Sequence, residues 1–169
     1  MSYDVIIIGF GKAGKTLAGA LGSDGKKVAL IEKSSKMYGG TCINVACIPS
    51  KTLIEEAGRG QSFKDAMDRK IDVVNALNKK NYDNLADNEN VDVYTNTARF
   101  KDSKTVEILD GEDVKEEFTS ETIVINTGAK SNIPGIEGID TTKNIFDSEG
   151  IMELDHQPDS LVVLGAGYI

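Results

Sequence analysis

YDVIIIGFGKAGKTLAGALGSDGKKVALIEK, residues 3–33, decides the fold. Tyr3 to Ile8 is a short apolar run rich in β-branched residues and ending at Gly9, the pattern of a strand buried on both faces of a parallel sheet. Ala13 to Leu21 then reads as a helix and Lys27 to Ile31 as a second strand. Tyr3 to Glu32 is therefore a βαβ unit of about 30 residues. Its first turn is Gly9-Phe10-Gly11-Lys12-Ala13-Gly14, a GxGxxG match, and Glu32 closes the second strand. In that context the glycines form a dinucleotide fingerprint. Gly9 permits the tight turn, Gly11 lets backbone reach a pyrophosphate, Gly14 permits close helix packing, and the Glu32 carboxylate can accept hydrogen bonds from ribose hydroxyls.

The same residues satisfy GxxxxGK[ST], the phosphate loop of ATPases and GTPases, with Gly14-Lys15-Thr16 in its last places. That pattern needs a later strand ending in a magnesium-binding Asp, whereas the next strand ends in Glu32 at dinucleotide-binding spacing. The residues favour the dinucleotide reading.

Working outward, GGTCINVACIPSK, Gly39 to Lys51, carries the only two cysteines, Cys42 and Cys47. Gly39 and Gly40 allow a tight turn or a close approach to a ligand, and the segment that follows can start a helix. A cysteine at a helix N-terminus is expected to have its pKa lowered from a free value of about 8.5, making it a better nucleophile. A distorted first turn, which Pro49 suits, would bring the two Cα atoms within reach of a disulfide. Buried structural thiols are the competing reading. A zinc site is not expected, since the only further candidate ligand is the distant His156. MSYDVIIIG lacks the basic segment and long apolar run of a signal peptide, so a cytosolic redox pair is favoured over a secreted structural disulfide.

Ile54 to Asn88 has largely helical apolar spacing, at Phe63, Met67, Ile71, Val74, Leu77, Tyr82 and Leu85, and reads as one amphipathic helix or two with a break near Gly58 to Gly60. Its expected role is to shield the core. Val91 to Thr95, Val106 to Leu109, Val114 to Phe118 and Ile123 to Ile125 read as strands, an antiparallel excursion followed by a return to the main sheet. Asp147-Ser148 reads as a turn or helix cap, and His156 as a solvated loop residue. Leu161 to Leu164 reads as a further buried strand leading into Gly165-Ala166-Gly167. The net charge of −8 argues against nucleic-acid or anionic-membrane partners, and no apolar run approaches the roughly 20 residues of a membrane span. A cytoplasmic location is expected.

Residues 3–33 followed by GGTCINVACIPSKTL resemble the class I pyridine nucleotide-disulfide oxidoreductases, the flavoenzymes related to glutathione reductase, dihydrolipoamide dehydrogenase and mercuric reductase. TIVINTGAKSNIPGI is similar to the family's second flavin-contacting segment, and LVVLGAGYI to the opening of its NAD(P) domain. One position departs from the pattern: Ala46 stands where the family usually has Gly, which bears on how closely the backbone can approach the flavin. MYGGTCINVACIPSKTL and KNYDNLADNENVDV are most similar to a mercuric-reductase-like branch that includes the reactive-chlorine-resistance flavoproteins.

The resemblance implies a fold, a site and an activity. The fold is α/β, a three-layer Rossmann-like FAD-binding domain with a central parallel sheet and a crossover β-meander, spanning residues 1–160, with 161–169 the truncated start of an NAD(P)-binding domain. FAD is the implied cofactor, held by Gly9, Gly11, Lys12, Ala13, Gly14, Glu32, Lys33, Gly40, Thr41, Cys42, Cys47, Lys51, Ala98, Thr127, Gly128 and Ser148. Cys42 is implied as the substrate-facing thiol, Cys47 as the thiol nearest the flavin and Lys51 as the cation near it, while no resident metal is implied. Electrons would pass from NAD(P)H through FAD to a Cys42–Cys47 disulfide and on to a small-molecule disulfide, metal-ion or oxidant substrate. The family's full-length members are homodimers. The alternative expectation is a non-catalytic FAD-binding fragment or an apo remnant, and the 169-residue chain alone is expected to show no NAD(P)H turnover.

Overall fold

The structure, a computed structural model, describes residues 1–139, 141–165 and 167. Four strands, β1 (Val5–Ile8), β2 (Val28–Ile31), β3 (Val91–Tyr94) and β7 (Thr122–Ile125), form a parallel sheet in the order β3-β2-β1-β7. β1 is central, in register with β2 from Val5↔Val28 to Ile8↔Ile31 and with β7 from Val5↔Thr122 to Ile8↔Ile125. Such a position demands apolar residues on both faces, which VIII supplies.

Alternation along these strands splits the core in two. Ile7, Val28 and Leu30 point to one side, where Ala18 of α1 (Lys12–Ser23) and Leu85 of α4 (Phe63–Ala86) meet them together with Phe10 and Tyr38. Ile6, Ala29 and Ile31 point to the other side. There Val106, Ile108 and Phe118 cover them, from an antiparallel meander of β4 (Thr97–Phe100), β5 (Thr105–Asp110) and β6 (Asp113–Thr119). Ile6 and Ile7 are both fully buried, and each contributes about 1.5–3 kcal/mol of transfer free energy. The three layers agree with the fold class expected from the sequence.

Two further helices lie between β2 and α4: the single turn α2 (Thr41–Asn44) and α3 (Cys47–Gly58). The break before α4 follows Gly58, within the expected window, and Gly60 there has a φ of 76°. Ser62 starts α4, its Oγ accepting from the Asp65 N–H at 3.2 Å. Lys70 of α4, 3% exposed, donates to the Met152 carbonyl at 2.7 Å and the Glu153 carboxylate at 2.9 Å. That pair fastens the 3₁₀ turn Gly150–Glu153 to the helix.

Two expectations are corrected here. Thr97 to Phe100, absent from the strands expected from the sequence, is a full strand, because pairing with β5 from Thr97↔Leu109 to Phe100↔Val106 fixes it rather than its own hydrophobic pattern. Leu161 to Leu164 is not a strand in this structure. Its side chains are 62% to 85% exposed, and a strand buried on both faces requires backbone partners and covering layers that the described residues do not give it. Of the fingerprint expected next, Ala166 lies outside the described residues, as do Tyr168 and Ile169. Among the described residues no helix is long and apolar enough to cross a membrane.

Candidate functional site

The C-terminal ends of β1, β2 and β7 converge on the glycine turn, the usual ligand-binding edge of a parallel α/β sheet. Gly9 takes a φ of 107°, and a Cβ there would lie 2.2 Å from the Asn126 carbonyl oxygen. At Gly14 a Cβ would lie 2.4 Å from the Gly9 carbonyl, so α1 can pack down on the turn only because that atom is missing. Asn126, the residue after β7, binds the turn on two levels. Its N–H donates to the Ile8 carbonyl at 2.7 Å, and its side-chain Nδ2 donates to the Gly9 carbonyl at 3.1 Å. Thr127 and Gly128 follow directly, exposed at the same edge.

Glu32 is buried beside this turn. Its Oε2 accepts from the Phe10 N–H at 3.0 Å and its Oε1 from the Ser34 N–H at 3.1 Å. Two backbone donors orient the carboxylate and leave acceptor capacity on each oxygen. The Gly11 cap of α1 carries no side-chain hydrogen bond, and no acidic residue occupies the first helical turn. Among the described residues, the N–H groups of that turn, including those of Lys12 and Ala13, meet no side-chain acceptor from a cap or an acidic residue of the turn, which suits a bound phosphate. A dinucleotide with a pyrophosphate and a ribose fits these residues.

The thiol segment abuts the same turn. Gly40 has a φ of 74°, and a Cβ there would lie 2.5 Å from Gly11 Cα. The chain then forms α2, leaves helical geometry at Val45 and Ala46, and restarts as α3 with Cys47 as its first residue. That interruption is decisive for the cysteines. On one continuous helix, residues five apart would point about 140° away from each other, at 3.6 residues per turn. With the break, the Cys47 side chain lies within reach of Cys42. Ala46 has a negative φ, −140°, so this position does not take the left-handed conformation that favours glycine.

Both cysteines are free thiols and exposed. Cys42 is held above the ordinary thiol pKa, first by its side-chain interaction with Cys47 and then by burial, against lowering by Lys51 and Lys15. The expected lowering of Cys42 is thus corrected. It sits in a single helical turn beside a second thiol, and that neighbour together with burial raises it. Lys51 stands one turn after Cys47 on the same helix face.

Polar side chains of α4 lock this segment, a role that its amphipathic pattern does not reveal. Asn44 is buried and donates to the carbonyls of Tyr38 (3.0 Å) and Gly40 (2.9 Å). Asn78 donates to Asn44 Oδ1 at 2.9 Å and to the Ser35 carbonyl at 3.2 Å. One turn on, Asn81 accepts from the Lys15 ammonium. Asn126, Asn78 and Asn81 are the site residues that the sequence reading missed. Their one sequence signal is an amide at a strand end or beside an apolar stripe, where a solvated face reads the same way.

Gly9, Gly11, Gly14, Glu32, Gly40, Thr41, Cys42, Cys47 and the backbone of Thr127 gather at this edge. Lys12 and Lys33 are exposed at the starts of their segments. The Ala98 side chain packs into the meander-side core, and Ser148 lies exposed beside Asp147, whose carboxylate accepts from Gly150 N at 2.9 Å and Ser131 Oγ at 2.5 Å. Neither joins the cluster through a hydrogen bond among the described residues. His156 is exposed and paired with its neighbour Asp155. Thr16 donates to the Lys12 carbonyl at 2.8 Å within its own helix, and Lys15 turns to Asn81, so neither serves the glycine turn as a phosphate loop would require.

Comparison with known proteins agrees with this geometry. The chain is 48% identical over 167 residues to the probable pyridine nucleotide-disulfide oxidoreductase RclA of Escherichia coli K12, covering 99% of this chain and 38% of that protein. It is 32% identical over 184 residues to the mercuric reductase of Bacillus cereus, covering 99% of this chain and 28% of the enzyme. A solved structure described as a Cu(II) complex of the HOCl-induced flavoprotein disulfide reductase RclA from Escherichia coli superposes with a TM-score of 0.87 at 48% identity, covering 91% of this chain and 35% of that one. The chain thus spans about a third of the length of these relatives. Residues 3–169 match the family model for pyridine nucleotide-disulphide oxidoreductase, and the chain belongs to that family of flavoprotein oxidoreductases.

Proposed function

We propose that this chain is the flavin-and-thiol portion of an oxidoreductase that carries electrons from NAD(P)H to a small-molecule disulfide, a metal ion or an oxidant. One observation carries the reading: Gly40, at the head of the thiol segment, packs against Gly11 of the dinucleotide turn, so a phosphate cradle and two neighbouring thiols share one wall. Residues 1–160 would form the FAD-binding part, with 161–169 opening an NAD(P)-binding domain. The proposed location is cytoplasmic.

The α1 N-terminus with Gly11 to Gly14 would hold the FAD pyrophosphate, Glu32 the adenosine ribose, and Thr127 to Gly128 the side of the cofactor nearer β7. Bound FAD supplies a two-electron carrier between nicotinamide and thiols. For a disulfide substrate, the Cys42 thiolate attacks one sulfur and releases the other half as a thiol. Cys47 then attacks the Cys42 sulfur, releasing the second thiol and closing the Cys42–Cys47 disulfide, so that two electrons leave the pair. Lys51 favours the thiolate forms through its charge. Calorimetric titration with FAD and with Mg-ATP tests the cradle. Heat should follow FAD, and tight ATP binding without an FAD response would restore the phosphate-loop reading.

A further inference from the structure

Lys15 occupies the phosphate-loop position without performing that role. Its ammonium donates to Asn81 Oδ1 instead. Asn81 borders the thiol segment, since a Cβ on Gly39 would lie 3.2 Å from its carboxamide, and the next residue, Gly40, rests on Gly11. α1, α4 and the turn that presents Cys42 therefore meet around this one cation. We propose that Lys15 is a second cation of the redox site, a positioning residue that reaches Cys42 from α1 as Lys51 does from α3, and that biases the thiol toward ionisation and toward anionic electrophiles.

The charges around Cys42 are consistent with this role. Cys47 and burial raise its pKa, while Lys51 and Lys15 lower it. Reciprocally, burial and then the like charge of Lys12 push Lys15 below the ordinary lysine value, and Cys42 acts in the opposite direction. α4 brings the neutral amides of Asn78 and Asn81, so no anion from that helix is hydrogen-bonded to Lys15 among the described residues. Asn81 is itself fixed by donating to the Leu77 carbonyl at 2.6 Å, which keeps the cation in place. Two lysines at one thiol pair favour substrates that bring negative charge to the sulfur, such as an oxyanion oxidant or a carboxylate-bearing disulfide, over a bare metal cation.

The inference rests on Cys42 being the substrate-facing thiol of the proposed function, and its test requires no flavin. In a Cys47→Ser background one thiol is read, by alkylation with neutral iodoacetamide and anionic iodoacetate at pH 7 and by peptide mass at Cys42. In each case the thiolate displaces iodide and forms a C–S bond. Lys15→Met should slow iodoacetamide about threefold, by raising the pH at which Cys42 ionises, and should lower the iodoacetate-to-iodoacetamide ratio about threefold. Lys15→Arg should preserve both values, and 1 M salt should narrow the difference. An unchanged ratio in a folded Lys15→Met chain, or equal losses in Lys15→Met and Lys15→Arg, overturns the proposal. Should Lys15→Met fail to fold, Asn81→Leu decides, because releasing the cation should give an intermediate ratio and an unchanged one again overturns it. A chain that binds no FAD yet shows the change in ratio keeps this inference and loses the proposed function.

Discussion

Gly9→Ala should destabilise the chain by about 3 kcal/mol and lower its melting temperature by about 10 °C. Two costs combine. The new side chain must adopt a φ of 107°, and its Cβ would lie 2.2 Å from the Asn126 carbonyl oxygen and 2.6 Å from its carbon. Both contacts are with backbone, so no rotamer change relieves them. Moving Asn126 would disturb the 2.7 Å bond from its N–H to Ile8 and with it the β1–β7 edge. Gly25→Ala is the matched control. Gly25 also has a positive φ, 78°, but nothing lies within 4 Å of a Cβ there. Its cost should be the conformational part alone, about 1 kcal/mol. Thermal melts followed by circular dichroism compare the two. Equal shifts for both variants would mean that the tight turn does not hold the sheet edge.

Cys42 and Cys47 should close reversibly into one intramolecular disulfide. The physical reason is the interruption at Val45 and Ala46, which departs from helical geometry between the two thiols and lets the Cys47 side chain reach Cys42. The exposure of both side chains gives oxidants and exchange reagents access. Thiol counting should give no free thiol after mild oxidation and two after reduction, with a mass difference of about 2 Da and no dimer. Two unreactive thiols after treatment with a disulfide reagent would assign the pair a purely structural role.

The parts of this site that were legible in the sequence are the local ones. GFGKAG between two apolar runs announces its own turn by glycine spacing, with Glu32 following at fixed distance, although the atoms that exclude a Cβ at Gly9 and Gly11 belong to the distant Asn126. The thiol pair was equally visible as a motif. Its surroundings were not, because Asn78 and Asn81 act across 34 and 66 positions of sequence, on Asn44 and Lys15, and look like the wet side of an amphipathic helix. Asn126 reads as the polar end of a strand until β7 is placed next to β1. The shape of the meander was partly hidden for a similar reason, as β4 takes its register from β5. The pKa of Cys42 runs opposite to expectation because an adjacent thiol and burial raise it, neighbours that its place in the sequence does not reveal.

The thiol segment and a flavin held on the glycine turn are proposed to form one redox unit, with Cys47 the member facing the cofactor and Lys51 one turn away on the same helix. The most direct test is the absorption spectrum of the FAD-loaded chain in two variants. In Cys42→Ser the remaining Cys47 thiolate should donate to oxidised flavin and give a new long-wavelength charge-transfer band, one that disappears on acidification as the thiolate takes up a proton. Cys47→Ser, with Cys42 left, should bind FAD and lack the band. A band in Cys47→Ser but not in Cys42→Ser, or FAD bound in both variants with no band at any pH, would mean that Cys47 does not face the flavin in one redox unit.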